Sequence, residues 1–483
     1  MKKMIRQLYV VGVVLLLGLT SCNDWLDVQS KVDIKEDEVF NTESGYWDAL
    51  VGVYSKMTSN SLYGTALTMS TLDILACNYD IDYGYFDDGT YNLSRYNYKS
   101  TLTRPRIDAI WSGMYTVIAN DNNLLRKLND ADRKMFEGDH YNWIKGEALA
   151  LRAYLHFDLL RMFGKSFHMD PDAKAIPYVS EFGKDQTPLS TGNEVVELAL
   201  KDLEEALVCL ENDPVIDKNF KTDNIYLLYR QNRMNYYAVQ ALMARIYMYR
   251  GTEADREKAL KIADSLIDDQ TIFTMLASNQ MGTNRIMSIE MFFCLYKDNI
   301  SDVYKSNYLP SFNSYGELLR TGKLTVKKKV IDDMFETSLW GTKDGRLKYQ
   351  FNLSAGYYFL TKYEQRDGDD QYSKYRIPML RLSEMYYISA ECTKDVNHAI
   401  TRMKALWRRR GYGLPNLGIN TLDDVKAFVA KEYRREFYGE GQLFYYYKRN
   451  NVSTIPNCKV NITDKLEEVY VLPVPEDELN YGK

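Results

Sequence analysis

Residues 143–164, WIKGEALALRAYLHFDLLRMFG, limit the fold more than any other stretch. At 3.6 residues per turn, Ile144, Ala148, Leu151, Leu155, Leu159 and Met162 form one apolar stripe, and Gly146, Ala150, Ala153, Phe157 and Leu160 form a second beside it. A helix apolar on two faces has no side left for water, so it must lie inside a stack of other helices. Gly146, Ala148, Ala150 and Ala153 leave shallow grooves in which neighbours approach closely. Glu147, Arg152, Asp158 and Arg161 interrupt the stripes, and buried charges persist only with partners, so structural ion pairs are expected.

Other segments repeat the theme. Pro105 to Leu128 carries Ile107, Ile110, Trp111, Met114, Ile118, Leu124, Leu125 and Leu128 at helical spacing, and Asn193 to Glu211 is helical in the same way. Asn235 to Arg250 has small residues on one face and a Gly251 stop, and Asp255 to Ile267 follows at once. Such pairs stack because neither helix can hide its apolar face alone, although the roughly 34-residue period of a regular array is absent. The expected fold is mainly α: a tetratricopeptide-like α-α superhelix of stacked helix pairs, with long irregular loop insertions and a few short β-hairpins. The expected organisation is 1–21 leader, 22–42 tether, then 43–270 and 271–483 as regions of one compact domain.

Several motifs carry a resemblance. GEALALRAYLHFDLLRMFG is similar to the signature helix of the SusD/RagB-like family, and Tyr115-x-x-Ile118-x-x-Asp121-Asn122 resembles another family phrase, with Asp121 where a small residue is usual. Pro378, Arg381, Glu384 and Glu391 match a further segment, as do Glu432, Arg434, Arg435, Glu436, Glu440, Gly441 and Arg449. The family's Arg and Asp after Glu-Gly are Leu443 and Tyr446 here, and the chain closes with Leu472-Pro-Val-Pro475 and Glu478. The resemblance implies a nutrient-binding lipoprotein of a Gram-negative outer membrane, exposed at the cell surface. It also implies a partner TonB-dependent, SusC-like transporter that receives the oligosaccharide.

The first residues fit that implication. Lys2, Lys3 and Arg6 precede the apolar run Leu8 to Leu19, which is too short to span a bilayer, and Leu19-Thr20-Ser21-Cys22 follows. This is the layout of a secretory signal, and the last four residues resemble a lipobox with Cys22 as the acylated residue. Acyl chains contribute about 0.8 kcal/mol per buried methylene, so the expected protein is anchored rather than inserted. Removing Lys2, Lys3 and Arg6 takes the formal net charge from −5 to −8, which argues against a nucleic-acid partner. Cys77, Cys209, Cys294, Cys392 and Cys458 have no finger-like spacing and read as buried free thiols.

Residues 77–99, CNYDIDYGYFDDGTYNLSRYNYK, follow neither a helical nor a strand period and read as a long loop, the kind of segment that often carries function. Aromatic faces stack on the C–H faces of sugars while polar side chains bond hydroxyls, so Tyr79, Tyr83, Tyr85, Phe86, Tyr91 and Arg95 are glycan-binding candidates. A second aromatic stretch, residues 271–376, adds Tyr296, Tyr304, Tyr308 and Tyr315, and also holds Tyr357. With 40 tyrosines in the chain, the competing reading is that these rings only cover the scaffold. Asp80, Asp82, Asp87 and Asp88 offer oxygens to calcium, but the spacing fails the EF-hand pattern and Tyr91 stands where its bidentate Glu is needed, so a solvated acidic turn is expected.

Catalysis has little support. His140, His156, His168 and His398 have no metal-ligand spacing, and HExxH, GxSxG and GxGxxG are absent. The run GELLRTGK at 316–323 fails as a phosphate loop, with five residues between its glycines and Leu324 where Ser or Thr is required. Binding without bond-breaking is therefore expected, and no cofactor is called for. The rival classes are a protein-interaction scaffold and a glycoside hydrolase.

Overall fold

The structure is a computed structural model that describes residues 36–413 and 418–481. The expected leader and Cys22 lie outside the described residues. Residues up to Tyr46 and those from Trp47 onward form separate compact units. In the first, Glu36–Val39 is a short helix, and Phe40 meets Tyr46 edge-on at 4.9 Å.

The second unit is built mainly of helices. Helix α1 (Glu43–Met57) begins in the first unit, and the long helices after it are α2 (Arg104–Asn129), α3 (His140–Phe163), α4 (Gly192–Cys209), α5 (Tyr236–Arg250) and α6 (Glu253–Asp268). Later come α7 (Leu382–Cys392), α8 (Val396–Arg410), α9 (Leu422–Glu436) and α10 (Gln442–Arg449). From α2 to α8 each helix packs against its successor, and α9 closes on α7. This is the mainly α, paired-helix architecture that the apolar periodicity predicts. The ends are fixed locally: Thr191 and Glu194 form a capping box on α4, Asn235 caps α5 through Ala238 N, and Gly251 ends α5 at φ 73°.

Helix α3 is the buried centre, enclosed from Gly146 to Phe163. A Cβ at Gly146 would stand 2.7 Å from Leu210 Cγ and 3.0 Å from Cys209 Cβ, so the glycine sets how closely this helix approaches the end of α4. Each charge on α3 is paired. Arg152 holds Asp202 through Nε at 2.7 Å and Nη2 at 2.6 Å, Arg161 donates from Nε to Asp158 at 3.1 Å, and Glu147 accepts from Arg230. All five cysteines among the described residues are free; Cys77, Cys294 and Cys392 are buried, whereas Cys209 and Cys458 are half-buried.

Strands enter as short pairs. β1 (Lys174–Pro177) pairs with β2 (Leu189–Thr191), and β3 (Met291–Tyr296) runs antiparallel to the distant Arg376–Arg381 strand. Between these two lie the insertions: the hairpin β4 (Ser311–Phe312) and β5 (Leu318–Leu319), and the sheet of β6 (Thr325–Lys327), β7 (Phe351–Ser354) and β8 (Tyr357–Leu360), with β8 in the middle. The Arg376–Arg381 strand is β9. The 77–99 stretch is not loop throughout: Asp88–Leu93 is a helical turn capped by Asp87, which accepts from Thr90 N at 2.8 Å. No helix among the described residues is long and apolar enough to cross a membrane.

Candidate binding surface

The aromatic candidates divide by burial. Tyr79, Tyr304 and Tyr308 are buried, which removes them as ligand contacts. Tyr308 Oη donates to Met69 O at 2.6 Å and lies 3.1 Å from Tyr79 Oη, so these rings anchor the insertion to the scaffold. Burial pushes the Tyr79 and Tyr308 hydroxyls well above their ordinary range, so they stay protonated as donors.

Of the candidates Tyr83, Tyr85, Phe86, Tyr91 and Arg95, the first two are exposed and the other three half-buried. Tyr83 is 74% exposed, and its ring meets Tyr91 edge-on at 5.4 Å. Arg95 lies 4.9 Å from the centroid of Tyr91, and Tyr83 bridges half-buried Phe86. The residue that organises the other end was not singled out from sequence. Arg320 places its guanidinium 4.6 Å from the Tyr85 centroid and 4.1 Å from that of Tyr357, and donates from Nη2 to Asp82 at 3.0 Å. Gly322 N donates to Tyr85 O at 2.8 Å, which ties the two chain segments together. Cation–π contacts of this kind contribute about 0.5–1 kcal/mol at exposed sites and hold rings in a fixed orientation.

The remaining candidates lie elsewhere. Tyr315 is 88% exposed at the tip of the β4–β5 hairpin. Tyr296 ends β3, half exposed, with its ring 5.7 Å from Tyr375.

Three of the four acidic residues of the 77–99 stretch are engaged by the protein, and Asp88 is exposed. Asp80 is buried and accepts from Lys327 N at 2.7 Å, Asp82 accepts from Arg320, and Asp87 caps its helical turn. Among the described residues, no group of three or more His, Cys, Asp or Glu side chains could hold a metal ion.

Stacked helix pairs with buried ionic cross-links, bearing aromatic insertions on their outer surface, define a helical-scaffold protein built to present loops. Comparison with known proteins makes this specific. A family model for "starch-binding associating with outer membrane" proteins of the SusD-like type matches residues 24–248, and the SusD family model matches residues 296–481. The chain belongs to the SusD/RagB-like family. SusD-like protein P2 of Formosa agariphila is 23% identical over 540 aligned residues, covering 97% of this chain and 96% of that protein. A SusD superfamily protein of Bacteroides thetaiotaomicron superposes with a TM-score of 0.70 at 21% identity, over 91% of this chain and 98% of that one. A laminarin-binding SusD-like protein superposes with a TM-score of 0.65 at 19% identity, over 91% and 97%.

Proposed function

We propose that this protein is a cell-surface glycan-binding lipoprotein, anchored through Cys22, that captures oligosaccharide and passes it to a partner TonB-dependent transporter of the outer membrane. The observation that carries the reading is the group of exposed Tyr83 and Tyr85 with half-buried Tyr91, held by Arg95 and Arg320 on a helical support. Rings held in place lose little entropy on binding, and each stacked sugar contributes on the order of 1 kcal/mol. Several such contacts give a modest affinity, which suits a protein that must release its ligand onward. Stacking and hydroxyl hydrogen bonds suffice for this task, so it requires no reacting group.

The family described above supports the ligand class, and the laminarin-binding relative is one member whose ligand is a polysaccharide. Affinity electrophoresis through gels carrying starch, laminarin, xylan, arabinan or pectin tests the capture step. Retardation by at least one polysaccharide, without release of reducing ends, is the expected result. Migration unaffected by all five, together with co-purification of a protein other than a transporter, would replace this reading with the scaffold one. The anchor is tested by metabolic labelling with a palmitate analogue, which Cys22→Ser should abolish.

A further inference from the structure

A second set of tyrosines stands in water on elements that the first group does not use. Tyr229, Tyr296, Tyr372 and Tyr375 are all exposed. Tyr296 and Tyr375 lie 5.7 Å apart by ring centroid, and Tyr229 and Tyr372 lie 6.0 Å apart. Arg376 joins the two pairs. Its buried guanidinium lies 5.5 Å from the Tyr229 centroid, Nε donates to Asn232 Oδ1 at 3.0 Å, and Nη1 donates to Tyr372 O at 2.6 Å. Its backbone faces Tyr296 across the β3–β9 ladder. Three separate chain segments are thus pinned around one side chain, with their tyrosines left outside.

The backbone gives a second, independent sign. Tyr229 and Tyr375 sit at φ 55° and 61°, in the left-handed region that bulky L residues rarely occupy. Glycine would fit both positions without strain, and strained backbone of this kind collects at ligand-binding sites. The rings do not repay the strain by burial, and none of the four hydroxyls forms a hydrogen bond among the described residues. Tyr229 also borders a cleft of about 480 Å³ lined by Phe220, Leu228 and Arg230.

We propose that Tyr229, Tyr296, Tyr372 and Tyr375 form a second sugar-stacking platform, which binds a further stretch of the same glycan held at the Tyr83–Tyr91 group. This rests on the glycan-binding reading above and adds to it a bivalent mode of binding. Two modest sites on one chain raise retention of a long ligand well beyond either alone, and leave a short ligand that fills one site unaffected.

The test compares Tyr229→Gly/Tyr375→Gly and Tyr296→Ala/Tyr372→Ala with wild type, using the polysaccharide that retards wild type and the corresponding tetrasaccharide. Polysaccharide retention should fall about fivefold or more in each double variant, while tetrasaccharide affinity by calorimetry stays within about twofold. The glycine variant should melt at or above the wild-type temperature, because ring loss and strain relief occur together. Unchanged retention would overturn the platform and leave the first site standing. Retention lost together with melting temperature in the glycine variant would assign the rings to the fold and also overturn it. Wild type unretarded by every polysaccharide would remove both proposals.

Discussion

Arg381 donates from Nη1 to Glu436 Oε1 at 2.8 Å across 55 residues of sequence, with both side chains buried. Glu436 also accepts from Arg410 and Arg346, and Arg381 reaches Glu440 at 2.9 Å. Arg410 continues to Glu290, Arg346 to Asp344 and Glu432, and Lys362 to Glu440. Burial alone would raise the Glu436 carboxyl, but Arg410, Arg381 and Arg346 hold it well below the ordinary range. The family-like motif around Glu432 to Glu440 is thus the acidic half of an ionic core that joins β9, α8 and α9 to the insertions.

Removing one member strands the others without water. Glu436→Gln keeps the shape and deletes the charge that three guanidiniums share, and is expected to lower stability by about 3–5 kcal/mol. Urea unfolding followed by circular dichroism measures it. A loss below about 1 kcal/mol would mean that the network is dispensable.

Asp121 makes the opposite case. It is fully buried on α2, and neither carboxylate oxygen has a hydrogen-bond partner among the described residues. Burial pushes its carboxyl well above the ordinary range, with Arg152 opposing but already bound to Asp202. Asp121→Ala, which restores the small residue expected there by family resemblance, should stabilise the protein by on the order of 1 kcal/mol. A lower urea midpoint would contradict this.

Asp73 supplies a pH dependence with a definite sign. Burial raises its carboxyl from 3.8 to about 7, against the pull of the Gly439 and Gly441 amides that donate to it at 2.5 and 3.1 Å. The folded state therefore keeps a proton that the unfolded chain has released, and this contribution to stability is lost as pH rises from about 4 through about 7. Asp73→Asn should remove that slope. Identical pH profiles of the urea midpoint for the two proteins would refute the assignment.

Cys458 is expected to react as a thiolate at neutral pH. The neighbouring Cys77 lowers its thiol to about 6, and Tyr96 Oη lies 3.2 Å from Cys77 Sγ and 3.6 Å from Cys458 Sγ. Iodoacetamide labelling of Cys458, located by mass spectrometry, should rise with a midpoint near pH 6, and Cys77→Ala should move that midpoint upward. A midpoint unmoved by the substitution would show that Cys77 is not the cause.

The helical scaffold was legible because apolar spacing is a local property. The periodicity of residues 143–164 and 235–250 appears as α3 and α5 almost to the residue. Ion pairing on α3 was legible as a need, but its distant partners Asp202 and Arg230 were not, since they lie 50 and 83 residues away. Tyrosine burial was the least readable feature. Tyr308 and Tyr315 stand seven positions apart in similar polar surroundings; one bonds Met69 O inside the protein, and the other points into water at a hairpin tip. Only tertiary contacts separate them, because a phenol suits either setting. Arg320, Tyr229, Tyr372 and Tyr375 carried no local signal, since their roles depend on rings brought in from remote segments.

The central claim is that fixed, exposed rings on a rigid helical support capture glycan by contact alone. Isothermal calorimetry with an oligosaccharide of the retained polysaccharide, comparing wild type with Tyr83→Ala/Tyr85→Ala/Tyr91→Ala, tests it most directly. Loss of three stacking contacts should weaken binding by about 10-fold or more with the melting temperature unchanged. Wild-type affinity in the triple variant would contradict the account.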